Sequence, residues 1–329
     1  MATFYTIADA GFFPGLVALL NSLRLTGNSG ELVVLDLGLT PAQRSLVEPH
    51  VTLVELPEGL AGRPMLLKAY PHELGATGTI VVIDSDMIVA RSLADIVALA
   101  GEGRICAYPD HRSHHDRWFA EWGKELELRA PLRRRKYLNA GFLALSTEHW
   151  PDLLGRWWEL CGRVPLDQHF GRYEQPFWAG DQDVLNAILA SEVPVEALAE
   201  LPAEEEAYPD DLLEVEVVDT QTLRCELGGR PTTILHYALG PKAWQQKAWV
   251  RLRDDAYVRL LPRLLFGDDV AVRLEPKSVP LWLRPGASAR ALVRAADLAH
   301  GGARGAANAM PRPIRDRVLA LRNAVFRRL

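Results

Sequence analysis

The stretch TIVVIDSDMIV, residues 79–89, decides how this chain is to be read. Thr79, Ile80, Val81, Val82 and Ile83 favour a strand and run without polar interruption. That is the pattern of a strand buried on both faces of a mostly parallel sheet. Asp84-Ser85-Asp86 ends the run, and apolar residues resume at once. Two carboxylates at the end of a buried strand are costly unless something compensates them. Ligands in open α/β sheets bind outside the carboxyl ends of the strands. A hard divalent cation carrying a diphosphate would supply the missing charge. A plain Asp-Ser-Asp turn fits the local pattern equally, so the rest of the chain has to decide.

Outward from this stretch, strands alternate with helices. Residues 4–8, 31–37, 51–56 and 104–108 read as strands. Helices are expected over 14–23 and 41–48 and near 65–70. The alternation implies βαβ units and a doubly wound first half. No GxGxxG follows the first strand and no Walker A lysine loop occurs, which argues against a dinucleotide dehydrogenase and a P-loop NTPase. Further on, 111–135 is polar and partly helical, and LNAGFLAL (138–145) is a strand with Asn139 and Gly141 inside it. A glycine there marks close approach of backbone or ligand. A Trp-rich helix is expected over 151–161 and a second helix at DQDVLNAILA, with Asp181 as its N-cap. The acidic run 203–216 reads as a solvated loop, and TTILH (232–236) as a short strand ending in His236.

The 329 residues, 48% apolar and 24% charged, suit a soluble globular protein of one large or two modest domains. Three widely spaced cysteines (Cys106, Cys161, Cys225) form no disulfide framework and fit a reducing compartment. Neither a signal peptide nor an early bilayer-spanning run is recognisable, so the expected location is cytoplasmic. The net charge of −5 hides an asymmetry. Residues 270–329 hold 12 Lys/Arg against three Asp/Glu, and the remainder 25 against 39. In the last helix Ile314, Val318, Leu321, Val325 and Leu329 form one stripe flanked by Arg315, Arg317, Arg322 and Arg328. Such a helix can lie on an anionic membrane surface, on the inner face of the plasma membrane, or pack on the acidic body or in a homodimer interface. The basic residues lack the interleaved aromatics of a nucleic-acid platform.

Four pieces then need one explanation: DSD (84–86), NAG (139–141), DQDVLN (181–186) and HYALGPKAW (236–244). In this order they resemble the retaining GT-A glycosyltransferases of family 8 type, the group of glycogenin and the bacterial lipopolysaccharide galactosyl- and glucosyltransferases. The resemblance covers about residues 3–250. It implies a GT-A catalytic domain, a Rossmann-like mixed α/β sheet flanked by helices, over 1–265, with a basic helical extension over 266–329. It further implies metal-dependent transfer of a hexose from a UDP-sugar to a saccharide, glycolipid or other hydroxyl acceptor. A different nucleotide base, or a non-catalytic nucleotide- or glycan-binding role, are the alternatives.

The resemblance implies roles residue by residue. Asp84, Asp86 and His236 would ligate Mn²⁺ or Mg²⁺, with the peptide Ile83-Asp84-Ser85-Asp86 along the donor and Asp84 also within reach of the ribose. Lys242, after Gly240, would meet the β-phosphate, and Lys68 the donor sugar or diphosphate. Asn139, Ala140 and Gly141 would lie against the sugar, with Asp181 on its hydroxyls and Gln182 beside the anomeric carbon. Asp183 is either part of that catalytic set or a plain first-turn acid. Ala8, Asp9 and Phe12 match the base-gripping loop, with Phe12 in place of the usual tyrosine and Ala10 in place of the second acid. Two further features stay open. His111, His114 and His115 read as polar loop residues, a metal-binding cluster or the lining of an acceptor pocket. RRRK (133–136) reads as a solvated loop or as a site for an anionic acceptor.

Overall fold

The computed structural model describes residues 2–60, 64–165, 172–238, 240–246, 254–286 and 291. The basic helix expected over 314–329 lies outside them. The chain begins with β1 (Ala2–Ala8), α1 (Phe13–Leu25), β2 (Glu31–Asp36), α2 (Pro41–Val47) and β3 (Thr52–Glu55). A 3₁₀ segment, Pro64–His72, leads to β4 (Thr79–Ile83), β5 (Met87–Val89), α3 (Ala94–Gly101) and β6 (Ile105–Pro109). Then come α4 (Glu121–Glu125), β7 (Leu138–Ser146), α5 (Leu153–Arg163), α6 (Gly180–Ser191), β8 (Leu198–Glu200) and β9 (Glu206–Ala207). A small meander, β10 (Glu216–Asp219), β11 (Arg224–Leu227) and β12 (Arg230–Pro231), precedes β13 (Ile234–His236) and α7 (Ala256–Phe266).

Seven strands form the main sheet in the order β3-β2-β1-β4-β7-β6-β8. β1 to β4 run parallel, while β7 is antiparallel to both β4 and β6. The sheet is therefore mixed. Its strand order turns between β1 and β4, and the carboxyl ends of those two strands carry Ala8-Asp9 and Asp84. That is the crevice where α/β sheets take ligands.

From Ile80 to Ile83 β4 is apolar because both its faces are covered. Val81 and Ile83 join one core, with α1, α7 and β5, while Ile80 and Val82 join the other, with α5 and α6. The same alternation runs along β7, with Phe142 and Ala144 on one side and Leu143 and Leu145 on the other. Beyond α7 the described residues as far as Leu283 stay on the body. Val272, Leu274, Val279 and Leu283 are buried in the α1 core, and Asn21 of α1 donates to Leu264 O and Val272 O at 2.7 Å each. All three cysteines are buried and unpaired by disulfides. Among the described residues no helix is long and apolar enough to cross a membrane.

Packing brings α1 hard against the turn that follows β4. A Cβ on Gly15 would lie 2.5 Å from Ser85 O and 2.7 Å from the Trp244 ring. Neither neighbour is a flexible side-chain tip, so Gly15→Ala has to push α1 away from the Asp-Ser-Asp turn. A loss of about 1–3 kcal/mol is expected, as in overpacked cores. The urea midpoint of the variant checks it, and an unchanged midpoint would contradict the close approach.

Candidate active site

A second, three-stranded sheet assembles the site. β13 lies between β5, antiparallel to it, and β9, parallel to it. The register pairs His236 with Met87 and Ile234 with Glu206, and Tyr237 N donates to Asp86 O at 3.1 Å. Strand pairing thus delivers His236 to the Asp-Ser-Asp turn from about 150 residues away, and seats Glu206 behind the imidazole.

One ligand atom each from Asp84, Asp86 and His236 lie within 4.8 Å of one another. His236 Nδ1 is 2.9 Å from Glu206 Oε1 and 3.2 Å from the Asn139 amide nitrogen. It cannot both donate to the first and accept from the second. The shorter, charge-assisted contact fixes the proton on Nδ1. Nε2 then faces Asp86 Oδ1, 3.6 Å away. A buried carboxylate that holds the far ring nitrogen is the usual support of a metal-ligating histidine. Two carboxylates with one such imidazole make a donor set that suits Mn²⁺ and accommodates Mg²⁺. The residues fit a divalent cation.

The charges here are tightly interlocked. Lys68 Nζ lies 3.0 Å from Asp84 and 3.4 Å from Asp181, and Lys242 Nζ pairs with Asp86 and donates to Tyr237 O at 2.7 Å. Burial works against ionised Asp86, yet His236, Lys242 and Lys68 hold its carboxyl below the ordinary value. Burial likewise lowers His236, but Glu206 and Asp86 outweigh it and the imidazole is raised. Asp181 is raised chiefly by burial, against the pull of Lys68. Gly141 closes the back of the site. A Cβ there would meet Asp84 Oδ2 at 2.8 Å and Asn139 Oδ1 at 2.9 Å, while Gly141 O accepts from Asp84 N at 2.8 Å. The glycine inside β7 therefore serves the approach of the Asp84 carboxylate.

These residues surround a cavity of about 910 Å³. Ala8, Asp9, Phe12, Lys68, Asp84, Ser85, Asp86, Asn139, Gln182, His236 and Lys242 line it. Ile83, Ala140, Gly141 and Asp181 are buried and stand outside that lining, and Ala140 N donates to Gln182 Oε1 at 2.9 Å. Gln182 Nε2 donates in turn to Asp110 Oδ2 at 2.8 Å, so the amide is pinned at both ends. Asp9 Oδ1 accepts from Phe12 N at 2.9 Å, which shapes the loop after β1. Trp244 Nε1 and Gln245 Nε2 both donate to Gly11 O, tying that loop to the segment that carries Lys242. Gly240 is exposed and stands outside the lining.

Three sequence expectations need correction. Asp181 does not cap α6. The helix begins at Gly180 with Ala179 as its N-cap and no side-chain cap, because the Asp181 carboxylate is buried beside Lys68. It is Asp183 that accepts from Ala179 N, at 2.7 Å. The run 203–216 is not a solvated loop: Glu206, Ala207, Tyr208, Leu212 and Val215 are buried, and β9 runs through it. Of RRRK, Arg133 and Arg135 hold the last carbonyls of α6 and Val193 O, Arg134 lies over the Trp118 ring, and Lys136 pairs with Glu200. None of the four lines the cavity, so the anionic-acceptor alternative finds no support there. Of the histidines, His111 and His114 do line it, whereas His115 bonds Asp110 O.

Asp183 stands apart from the cavity. It is fully buried against Arg117 Nε at 2.6 Å and accepts from Tyr137 OH at 2.7 Å. Burial pushes its carboxyl up to about 6 against the pull of Arg117 and Tyr137. Sequence reasoning passed over Asp110, Glu206, Tyr208 and Trp178. Asp110 had a signal, since it directly follows a strand, as Asp84 does. Glu206 had none beyond the apolar residues scattered through its acidic run.

No protein-family model matches the sequence, and no curated protein matches it. Solved structures do. The bifunctional glycosyltransferase WbbM superposes with a TM-score of 0.54 at 15% identity, over 82% of this chain and 50% of its own. The galactosyltransferase LgtC, in complex with donor and acceptor sugar analogues, gives 0.52 at 16% identity, over 84% of this chain and 98% of its own. The chain therefore spans half the length of the first and nearly all of the second. The fold is that of a GT-A glycosyltransferase.

Removing one member of the Arg117–Asp183 pair strands a buried charge. Asp183→Ala is expected to cost about 3–5 kcal/mol of stability. Chemical denaturation reads this directly, and a variant as stable as the parent would reject the anchoring role.

Proposed function

We propose that this chain is a metal-dependent, retaining glycosyltransferase that moves a hexose from a UDP-sugar to a hydroxyl acceptor. The observation that carries the reading is the convergence of Asp84, Asp86 and Glu206-oriented His236 on the floor of one large cavity. The GT-A fold and the ordered DSD, NAG, DQD and HYALGPKAW stretches support it, the last with Leu239 where the family pattern HxxGxxKxW has its glycine and Gly240 one place later. A Mn²⁺ or Mg²⁺ ion held by Asp84, Asp86 and His236 would neutralise charge on the departing nucleoside diphosphate.

The protein's own groups account for the rest. Phe12 offers a face for the base and Asp9 an acceptor for its N–H. Lys68 and Lys242, both within the cavity wall, supply further positive charge for the diphosphate. Each is paired with a carboxylate, which holds the ammonium in place until an anion arrives. Asp181, buried outside the lining, helps to hold the Lys68 ammonium at the cavity wall. Gln182 is a poor nucleophile with its amide pinned at both ends, so it orients rather than attacks. Retention then follows from front-side displacement. The acceptor oxygen bonds to the anomeric carbon on the face from which the diphosphate oxygen departs, and that oxygen takes the hydroxyl proton.

Two outcomes are expected. UDP-glucose and UDP-galactose hydrolysis should need Mn²⁺ or Mg²⁺ and fall at least about a thousandfold in Asp86→Ala, a loss of several kcal/mol of charge stabilisation. Full metal-independent activity in that variant would reject the mechanism. Glu206→Gln should keep the ligands but weaken Mn²⁺ binding about 10- to 100-fold, read by calorimetry in the presence of UDP. Unchanged affinity would mean that Glu206 does not orient His236.

A further inference from the structure

The segment that follows α7 comes back to the residues that carry Lys242. Val272, Leu274 and Val279 are buried in the α1 core, and the chain then makes a 3₁₀ turn, Leu281–Leu283, that packs on α7. Leu283 is fully buried, whereas Leu281 is 50% exposed. Between them Trp282 is half-buried against the same core, and its Nε1 donates to Ala243 O at 3.3 Å. Ala243 directly follows Lys242. Trp282 itself stands outside the cavity lining. The family resemblance ends at about residue 250 and gives this tryptophan no role.

Lys242 depends on its turn for its place. Lys242 N donates to Gln245 Oε1 at 3.1 Å, and Gln245 N donates to Lys242 O at 2.8 Å, so residues 242–245 close on themselves. One external fastening is the loop after β1, where Gly11 O accepts from Trp244 Nε1 and Gln245 Nε2. Trp282 is another, and it acts on the residue next to the lysine. Ala243 is fully buried, where a backbone carbonyl needs a donor. A lysine stem is flexible, so the backbone it springs from decides where its ammonium can rest. That ammonium reaches Asp86 and Tyr237 O, and lies 5.6 Å from the Phe12 ring centroid. A turn fastened before any ligand arrives lowers the ordering cost of binding.

We propose that Trp282 is a positioning residue for the donor diphosphate. Through Ala243 O it sets the 242–245 turn, and with it the place of the Lys242 ammonium in the cavity wall. This rests on the UDP-sugar reading and extends the donor site to a residue beyond α7. The effect is specific, because Trp282 acts through Lys242 alone. Phe12 and Asp9, which serve the base, hold each other by a separate hydrogen bond. Losing the Trp282 N–H should therefore weaken a ligand that carries a β-phosphate and spare one that does not. A general loosening of the fold would weaken both alike.

The test uses the full-length protein with Mn²⁺ and calorimetry of two probes, UDP and UMP, the second without a β-phosphate. Trp282→Phe keeps a ring in the packing and removes the N–H. It should weaken UDP about three- to tenfold, the scale of one hydrogen bond, and UMP by less than about twofold. In the Lys242→Met background the ammonium is gone, and the same substitution should change UDP affinity by less than about twofold. Trp282→Leu is carried through the same measurements, so that a folding failure of one variant leaves the other to be read. UMP binding reports whether each variant is folded. An equal loss for UDP and UMP, a loss undiminished in the Lys242→Met background, or no loss for UDP would each overturn the positioning role alone. A parent protein that binds no UDP would overturn the donor reading itself.

Discussion

The site depends on one pairing: three residues of β13 held between β5 and β9. Without it, Asp86 and His236 are about 150 residues apart and share nothing. With it, backbone hydrogen bonds set their separation, and a shift of one residue would turn His236 to the other face of its sheet. The same pairing places Glu206 behind the imidazole, so one local register fixes the candidate ligand His236, its neighbour and its tautomer. Close packing of α1 and β7 around the Asp-Ser-Asp turn, possible because Gly15 and Gly141 carry no side chain, holds the other half in place.

Electrostatics explains why so much of the molecule is devoted to a few carboxylates. Asp84, Asp86, Asp181 and Glu206 are gathered in one place, three of them fully buried, and Lys68, Lys242 and His236 offset them. Each acid is tolerable inside the protein only because a cation is within reach. A divalent cation that arrives with a diphosphate brings positive charge for the carboxylates and negative charge for the lysines together. Burial and charge are thus both consistent with the composite ligand proposed above.

Much of this was legible beforehand, and the physics says which parts. β4 could be read because a strand covered on both faces must be continuously apolar. The acids at its end could be read because buried charge needs a reason. Asn139, Gly141, Gln182, His236 and Lys242 followed from ordered motifs. Asp183 was ambiguous, because sequence spacing places it one residue from Gln182 but does not reveal Arg117, 66 residues earlier, on its carboxylate. Glu206 was hidden because an acidic run looks solvated until tertiary pairing buries one member. The RRRK stretch misled for the opposite reason. Basic residues before a strand look available to ligands, yet here Arg133 and Arg135 close the carboxyl end of α6.

The claim on which the rest stands is that Asp84, Asp86 and His236 hold a divalent cation together with a nucleoside diphosphate. Electron paramagnetic resonance of Mn²⁺ tests it most directly, since the sharp signal of the free ion disappears on binding. Titrating Mn²⁺ into the protein with saturating UDP should show a single bound ion per chain, and His236→Ala should leave most of it free. Mn²⁺ that stays free in the parent, or that binds equally well without His236, would contradict the assignment.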